Sequence, residues 1–146
     1  MRRPLLVCAV LSLGGCVEPG DPLLAVRDTQ PPSVVSIDPA ANGQVSAAGG
    51  TVRITFSELM DNRTLRPGLA VFAGAEEIPL TVLVPPIAEE EQDIERGDIP
   101  YTVTLGAASG SFTPGTSYTL VLRTILSDYE GNALADEIRT SFRAVP

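Results

Sequence analysis

Apolar and polar residues alternate with a period of two through most of the chain beyond residue 33. Val52, Ile54 and Phe56 alternate with Thr51, Arg53 and Thr55. Tyr101, Val103 and Leu105 alternate with Thr102 and Thr104, and Tyr118, Leu120 and Leu122 with Thr119, Val121 and Arg123. Ile138 and Phe142 share a face opposite Arg139, Ser141 and Arg143. Successive side chains of a strand point to opposite faces, so each segment reads as a strand with one buried face. Val34 to Ile37, Leu69 to Ala73 and Pro79 to Val84 complete a set of seven. Thirteen Gly and thirteen Pro among 146 residues oppose long helices. They supply turn signals at Asn42-Gly43, Gly49-Gly50, Pro67-Gly68, Pro114-Gly115 and Gly131-Asn132. The expectation is an all-β chain, a single sandwich of about seven strands.

Missing residue types narrow the chemistry. The chain has no His, no Trp and no Lys, and all ten basic residues are Arg. A Ser-His-Asp triad, a His-ligated zinc, a Schiff-base lysine and a Walker lysine are therefore excluded. A net charge of −8 without a basic stripe argues against nucleic acid as a partner. No cofactor is expected, and the chain reads as a non-enzyme.

The N-terminus carries an address. Arg2 and Arg3 precede an apolar run from Leu5 to Leu13. Nine residues of helix span about 14 Å, well short of a hydrocarbon core about 30 Å thick. The pattern is that of a signal peptide. It ends in Leu13-Gly14-Gly15-Cys16, which resembles the lipobox of bacterial lipoproteins. That resemblance implies cleavage before Cys16, diacylglyceration of its thiol and acylation of the new amino end by a chain such as palmitate. Val17 in place of Asp favours the outer membrane under the enterobacterial sorting rule. Cys8 would leave with the signal peptide, so no disulfide is available. Pro19, Gly20, Pro22, Pro31 and Pro32 make residues 17–32 read as a stiff extended tether, with an upper reach of about 50 Å at ~3.1 Å per residue. The expected organisation is a signal peptide over 1–15, a lipidated Cys and tether over 16–32, and the sandwich over 33–146.

Motif order within the sandwich resembles the bacterial Ig-like domains of S-layer and other cell-surface proteins. Pro31-Pro32-Ser33-Val34 stands at the entry, and Asp38-Pro39 to Gly43 at the first turn. Ile54-Thr55-Phe56-Ser57-Glu58-Leu59-Met60-Asp61 follows the strand-end pattern of that family, with Leu59 where Pro is usual. Pro114-Gly115-Thr116-Ser117-Tyr118 and Asp128-Tyr129-Glu130-Gly131-Asn132 match well, and Ser141-Phe142-Arg143 more loosely. The resemblance spans about 31–145. It implies an Ig-like sandwich and a surface role, with no catalytic activity.

Pro85 to Pro100 departs from that pattern. It holds Glu89, Glu90, Glu91, Asp93, Glu95 and Asp98 against the lone Arg96. These acids are the candidates for Ca²⁺, which takes six to eight oxygen ligands. Their spacing fits no EF-hand, and a solvated, self-repelling loop accounts for them equally, so no metal site is assigned. Asp128 to Asn132 also resembles a ligand set, but Asp opening a turn that Gly-Asn closes is ordinary β-turn chemistry. Glu58 and Asp61 could form the carboxylate pair of a glycoside hydrolase; capping of a helical turn from Ser57 is the competing use. Tyr101 and Tyr118 fall on inward faces. Tyr129, at a turn tip, is the aromatic left for partner contact, with Glu90 and Asp93 beside it as candidates.

The function expected from these readings is a non-catalytic, lipid-anchored cell-envelope module, interactive or structural. Its partners would be the membrane, through the anchor, and an envelope protein or glycan. Glycan or peptidoglycan binding is the alternative, and a carboxylate-based hydrolase a more distant one.

Overall fold

A computed structural model describes residues 28–86 and 99–146. Cys16 and the acids from Glu89 to Asp98 lie outside the described residues.

Two sheets face each other. The first has β1 (Val34–Asp38), β3 (Thr51–Phe56), β7 (Tyr101–Ala107) and β6 (Leu80–Leu83), in the order β1-β3-β7-β6. The second has β2 (Gly43–Ser46), β9 (Ile138–Val145), β8 (Ser117–Leu122), β4 (Leu69–Ala73) and β5 (Glu76–Ile78), in the order β2-β9-β8-β4-β5. Pairing is antiparallel except between β2 and β9. The architecture is the expected all-β sandwich, and all seven predicted strands form. The described strands number nine; β2 and β5 are the additions.

The alternation puts the apolar faces between the sheets. Val52, Ile54 and Phe56 of β3, Val103 and Leu105 of β7, and Leu120 and Leu122 of β8 are buried in one core with Phe142 and Ala144 of β9. Tyr101 and Tyr118 are buried as predicted. Val121 departs from strict alternation: it is buried although it points away from the core, as does Ala70 opposite it on β4. Phe112, Tyr118 and Phe142 form a ring cluster with centroids 5.1–5.4 Å apart. The Tyr118 hydroxyl leaves that cluster to accept the Thr113 N–H at 2.8 Å.

A short helix, α1 (Asn62–Gly68), occupies the stretch where Pro67-Gly68 predicted a turn. The helix starts because Asp61, not Ser57, supplies the cap: its carboxylate accepts the Arg63 N–H at 2.9 Å. Ser57 Oγ instead accepts the Ser33 N–H at 3.0 Å, tying the chain ahead of β1 to the end of β3. Gly68 ends the helix where a Cβ would collide with Leu126. Gly115 and Gly131, in two of the other predicted turns, have the positive φ that makes glycine suitable there.

Candidate functional site

At the end of the sandwich where β3 leaves the first sheet, three carboxylates converge. Glu58 follows β3 by two residues. Asp128 lies in the β8–β9 connection and is held to the segment after β3 by an antiparallel bridge with Met60. The Asp61 N–H donates to the Ser127 carbonyl at 2.8 Å, and the Ser127 N–H to Thr64 Oγ1 at 3.2 Å. Asp28 precedes β1. Its carbonyl accepts from Asn132 Nδ2 at 3.2 Å, and its Oδ1 accepts the Gln30 N–H at 2.8 Å. One carboxylate oxygen from each of Asp28, Glu58 and Asp128 lies within 4.8 Å of the others.

The three are unequally satisfied. Asp128 is buried and committed to its own turn: Oδ1 accepts the Asn132 N–H at 2.8 Å and Oδ2 the Asn132 Nδ2 at 2.7 Å. Its turn role is thus as expected, and its carboxylate also reaches a cluster that turn chemistry does not require. Glu58 is only 5% exposed. Its one hydrogen bond is from Ser57 Oγ to Oε1, at the outer limit of 3.5 Å. Burial, then the charges of Asp128 and Asp28, push its pKa from 4.5 to about 7, with Glu130 adding to the rise and Ser57 opposing it. None of the three acids forms an ion pair with an arginine among the described residues.

Asp61 does not join the cluster. The Arg63 guanidinium grips it at 2.7 Å, and this hydrogen bonding holds its carboxyl below the usual range. The nearest acid to Glu58 in sequence is therefore spent on capping, and the acids that meet Glu58 come from distant parts of the chain. A hydrolase needs a pair of carboxyl groups with room between them for a sugar. Here Glu58 and Asp128 are both buried, and Asp128 has both oxygens bonded to Asn132.

Surface hollows among the described residues lie elsewhere. One, of about 150 Å³, is lined by Arg66, Glu77, Ile78 and Leu80 among others; another, of about 300 Å³, by Phe72, Thr119 and Arg139 among others. Neither includes an acid of the cluster. Tyr129 is 39% exposed in the β8–β9 connection. Glu90 and Asp93, named with it as contact residues, lie outside the described residues, as do the other loop acids and Cys16. Sequence reasoning considered Glu58 and Asp128 separately and passed over Asp28. No local spacing signals their meeting, because 30 residues separate Asp28 from Glu58 and 70 separate Glu58 from Asp128.

No helix among the described residues is long and apolar enough to cross a membrane. No curated protein matches the chain. Among solved structures, the S-layer protein rSbsC(31-844) is similar, with a TM-score of 0.50 and 18% identity over 78% of this chain. The likeness covers 14% of that larger chain, and at this identity it speaks to the fold. The sandwich order, the turn chemistry and a family match over residues 28–144 agree: the chain belongs to the bacterial Ig-like domain family.

Proposed function

We propose that the protein is a non-catalytic module of the bacterial cell envelope, anchored by lipid on Cys16 and offering its sandwich to a partner. The observation that carries this reading is the distribution of apolar surface. The interior is consumed by packing between the sheets, while Val35 on β1 and Leu83 on β6 are 61% and 60% exposed. These strands are the two edges of the first sheet. Open strand edges present unpaired backbone groups, and an extended segment of a partner can add to them. Tyr129, with Glu90 and Asp93, is the second contact region in this proposal. The anchor rests on Leu13-Gly14-Gly15-Cys16 behind the apolar run, and Val17 favours the outer membrane.

Metabolic labelling with an alkyne-tagged palmitate tests the anchor: label on the wild type and none on Cys16→Ser is the expected result. In-cell crosslinking tests the function. Capture of a discrete envelope protein supports an interaction module. Retention on insoluble wall glycan instead transfers the reading to a glycan binder.

A further inference from the structure

The carboxylate cluster is not explained by packing, by the turn it adjoins or by partner capture. Three acids share one end of the sandwich, and none of them is ion-paired to an arginine among the described residues. Bringing like charges together inside a protein is costly unless something compensates them. Asp61 shows how this chain neutralises a buried acid when an arginine does the work; no described arginine pairs with Glu58 in that way.

A second observation indicates what compensates. Glu58 is 95% buried by its 5% exposure, its carboxylate points into the cluster, and Oε2 has no hydrogen-bond donor among the described residues. Every fully enclosed side-chain polar atom among those residues has a partner. Oε2 is therefore not sealed away, and a small species from solvent can reach it.

We propose that Asp28, Glu58 and Asp128 form a binding site for a hard divalent cation, Ca²⁺ in particular. Ca²⁺ takes carboxylate oxygens at about 2.4 Å, so two ligand oxygens on one ion lie no more than about 4.8 Å apart. The three acids already meet that limit. Asp128 keeps its bonds to Asn132, since each carboxylate oxygen has more than one lone pair. Glu58 supplies the uncommitted oxygen, and Asp28 brings in the chain that leads to β1. The ion would clasp three parts of the chain: the segment ahead of β1, the segment after β3 and the β8–β9 connection. Its consequence is mechanical. The sandwich would be joined rigidly to whatever precedes residue 28 when Ca²⁺ is present, and less firmly without it. This goes beyond the proposed envelope function and does not depend on the lipid anchor.

The test uses the full chain purified in detergent, stripped with EDTA and titrated with CaCl₂ while melting and binding heat are followed. Extracellular Ca²⁺ modules commonly bind at 10⁻⁴–10⁻³ M, so titration to about 5 mM covers the range. The expected result is a rise in melting temperature of roughly 5–10 °C near saturation, with one ion bound per chain. Glu58→Gln and Asp28→Asn should each abolish the rise, whereas Glu77→Gln, an exposed acid paired with Arg123, should keep it. If Glu58→Gln fails to fold, Asp28→Asn decides, because Asp28 lies outside every strand. A rise of unchanged size in either cluster variant overturns the proposal. So does a rise lost only when Glu89, Glu90, Glu91, Asp93, Glu95 and Asp98 are neutralised, or the absence of any binding heat in the wild type.

Discussion

Glu58 makes the cluster measurable by pH as well as by metal. In the folded chain it holds its proton up to about pH 7, while its ordinary value is 4.5. Between those values the folded state binds a proton that the unfolded chain has released, so stability falls as pH rises through this window. The loss is complete above the folded pKa and amounts to at most about 3 kcal/mol. In EDTA, Glu58→Gln should therefore melt near the wild type at pH 5 and several degrees above it at pH 8. A variant that melts below the wild type at pH 8 would show that Glu58 is held by something other than acid neighbours. Asp61 has the opposite sign. Its lowered pKa contributes stability above the ordinary carboxyl value, which is lost as pH falls through the folded one. Asp61→Ala removes the α1 cap and should cost about 1–2 kcal/mol by denaturant unfolding at neutral pH. Asp61→Asn, still able to cap, should cost clearly less. Equal costs would shift the role from capping to the charge pair with Arg63.

The elements differ in how plainly the sequence announces them. Strands β3, β7 and β8 each bury one face of a sheet, so burial itself writes the alternation. β2 and β5 were missed because Gly43–Ser46 and Glu76–Ile78 are four and three residues long, lie at sheet edges and bury little. The sequence points to a helical turn capped from Ser57, but α1 lies further on because Asp61 supplies the cap, and its seven residues run through the turn formers Pro67 and Gly68 with Leu65 buried in the core. The site was legible only in pieces. Asp128 was recognised as a turn former and Glu58 as a notable acid, but their approach depends on β8 and β3 belonging to opposing sheets, which no local pattern encodes. The 84–100 connection between the paired strands β6 and β7 yields a prediction at this scale. Deleting 87–98 should preserve a single cooperative melt, because the β6–β7 register, Leu80 opposite Ala107 to Leu83 opposite Thr104, does not use that segment. Loss of cooperativity would show that the acidic segment belongs to the fold.

At the scale of the whole molecule, the two proposals give the chain two kinds of attachment that can be separated. The acyl chains on Cys16 would hold it to a membrane: each buried methylene contributes about 0.8 kcal/mol, and two or more chains anchor stably where one is marginal. The cation would govern how firmly the sandwich is joined to the segment before it. Crosslinking in cells grown with and without a Ca²⁺ chelator distinguishes them. If both proposals hold, Cys16→Ser should lose the membrane partner in either medium, because the domain is no longer delivered to the surface where the partner lies. Glu58→Gln should keep its membrane association and capture the same partner, with a pattern indifferent to chelation, whereas the wild-type pattern should change when Ca²⁺ is withdrawn. Equal capture by wild type and Cys16→Ser would make the anchor irrelevant to partner choice. A chelator effect that persists in Glu58→Gln would place the Ca²⁺ dependence in the partner, since the cluster in this chain would no longer be able to produce it.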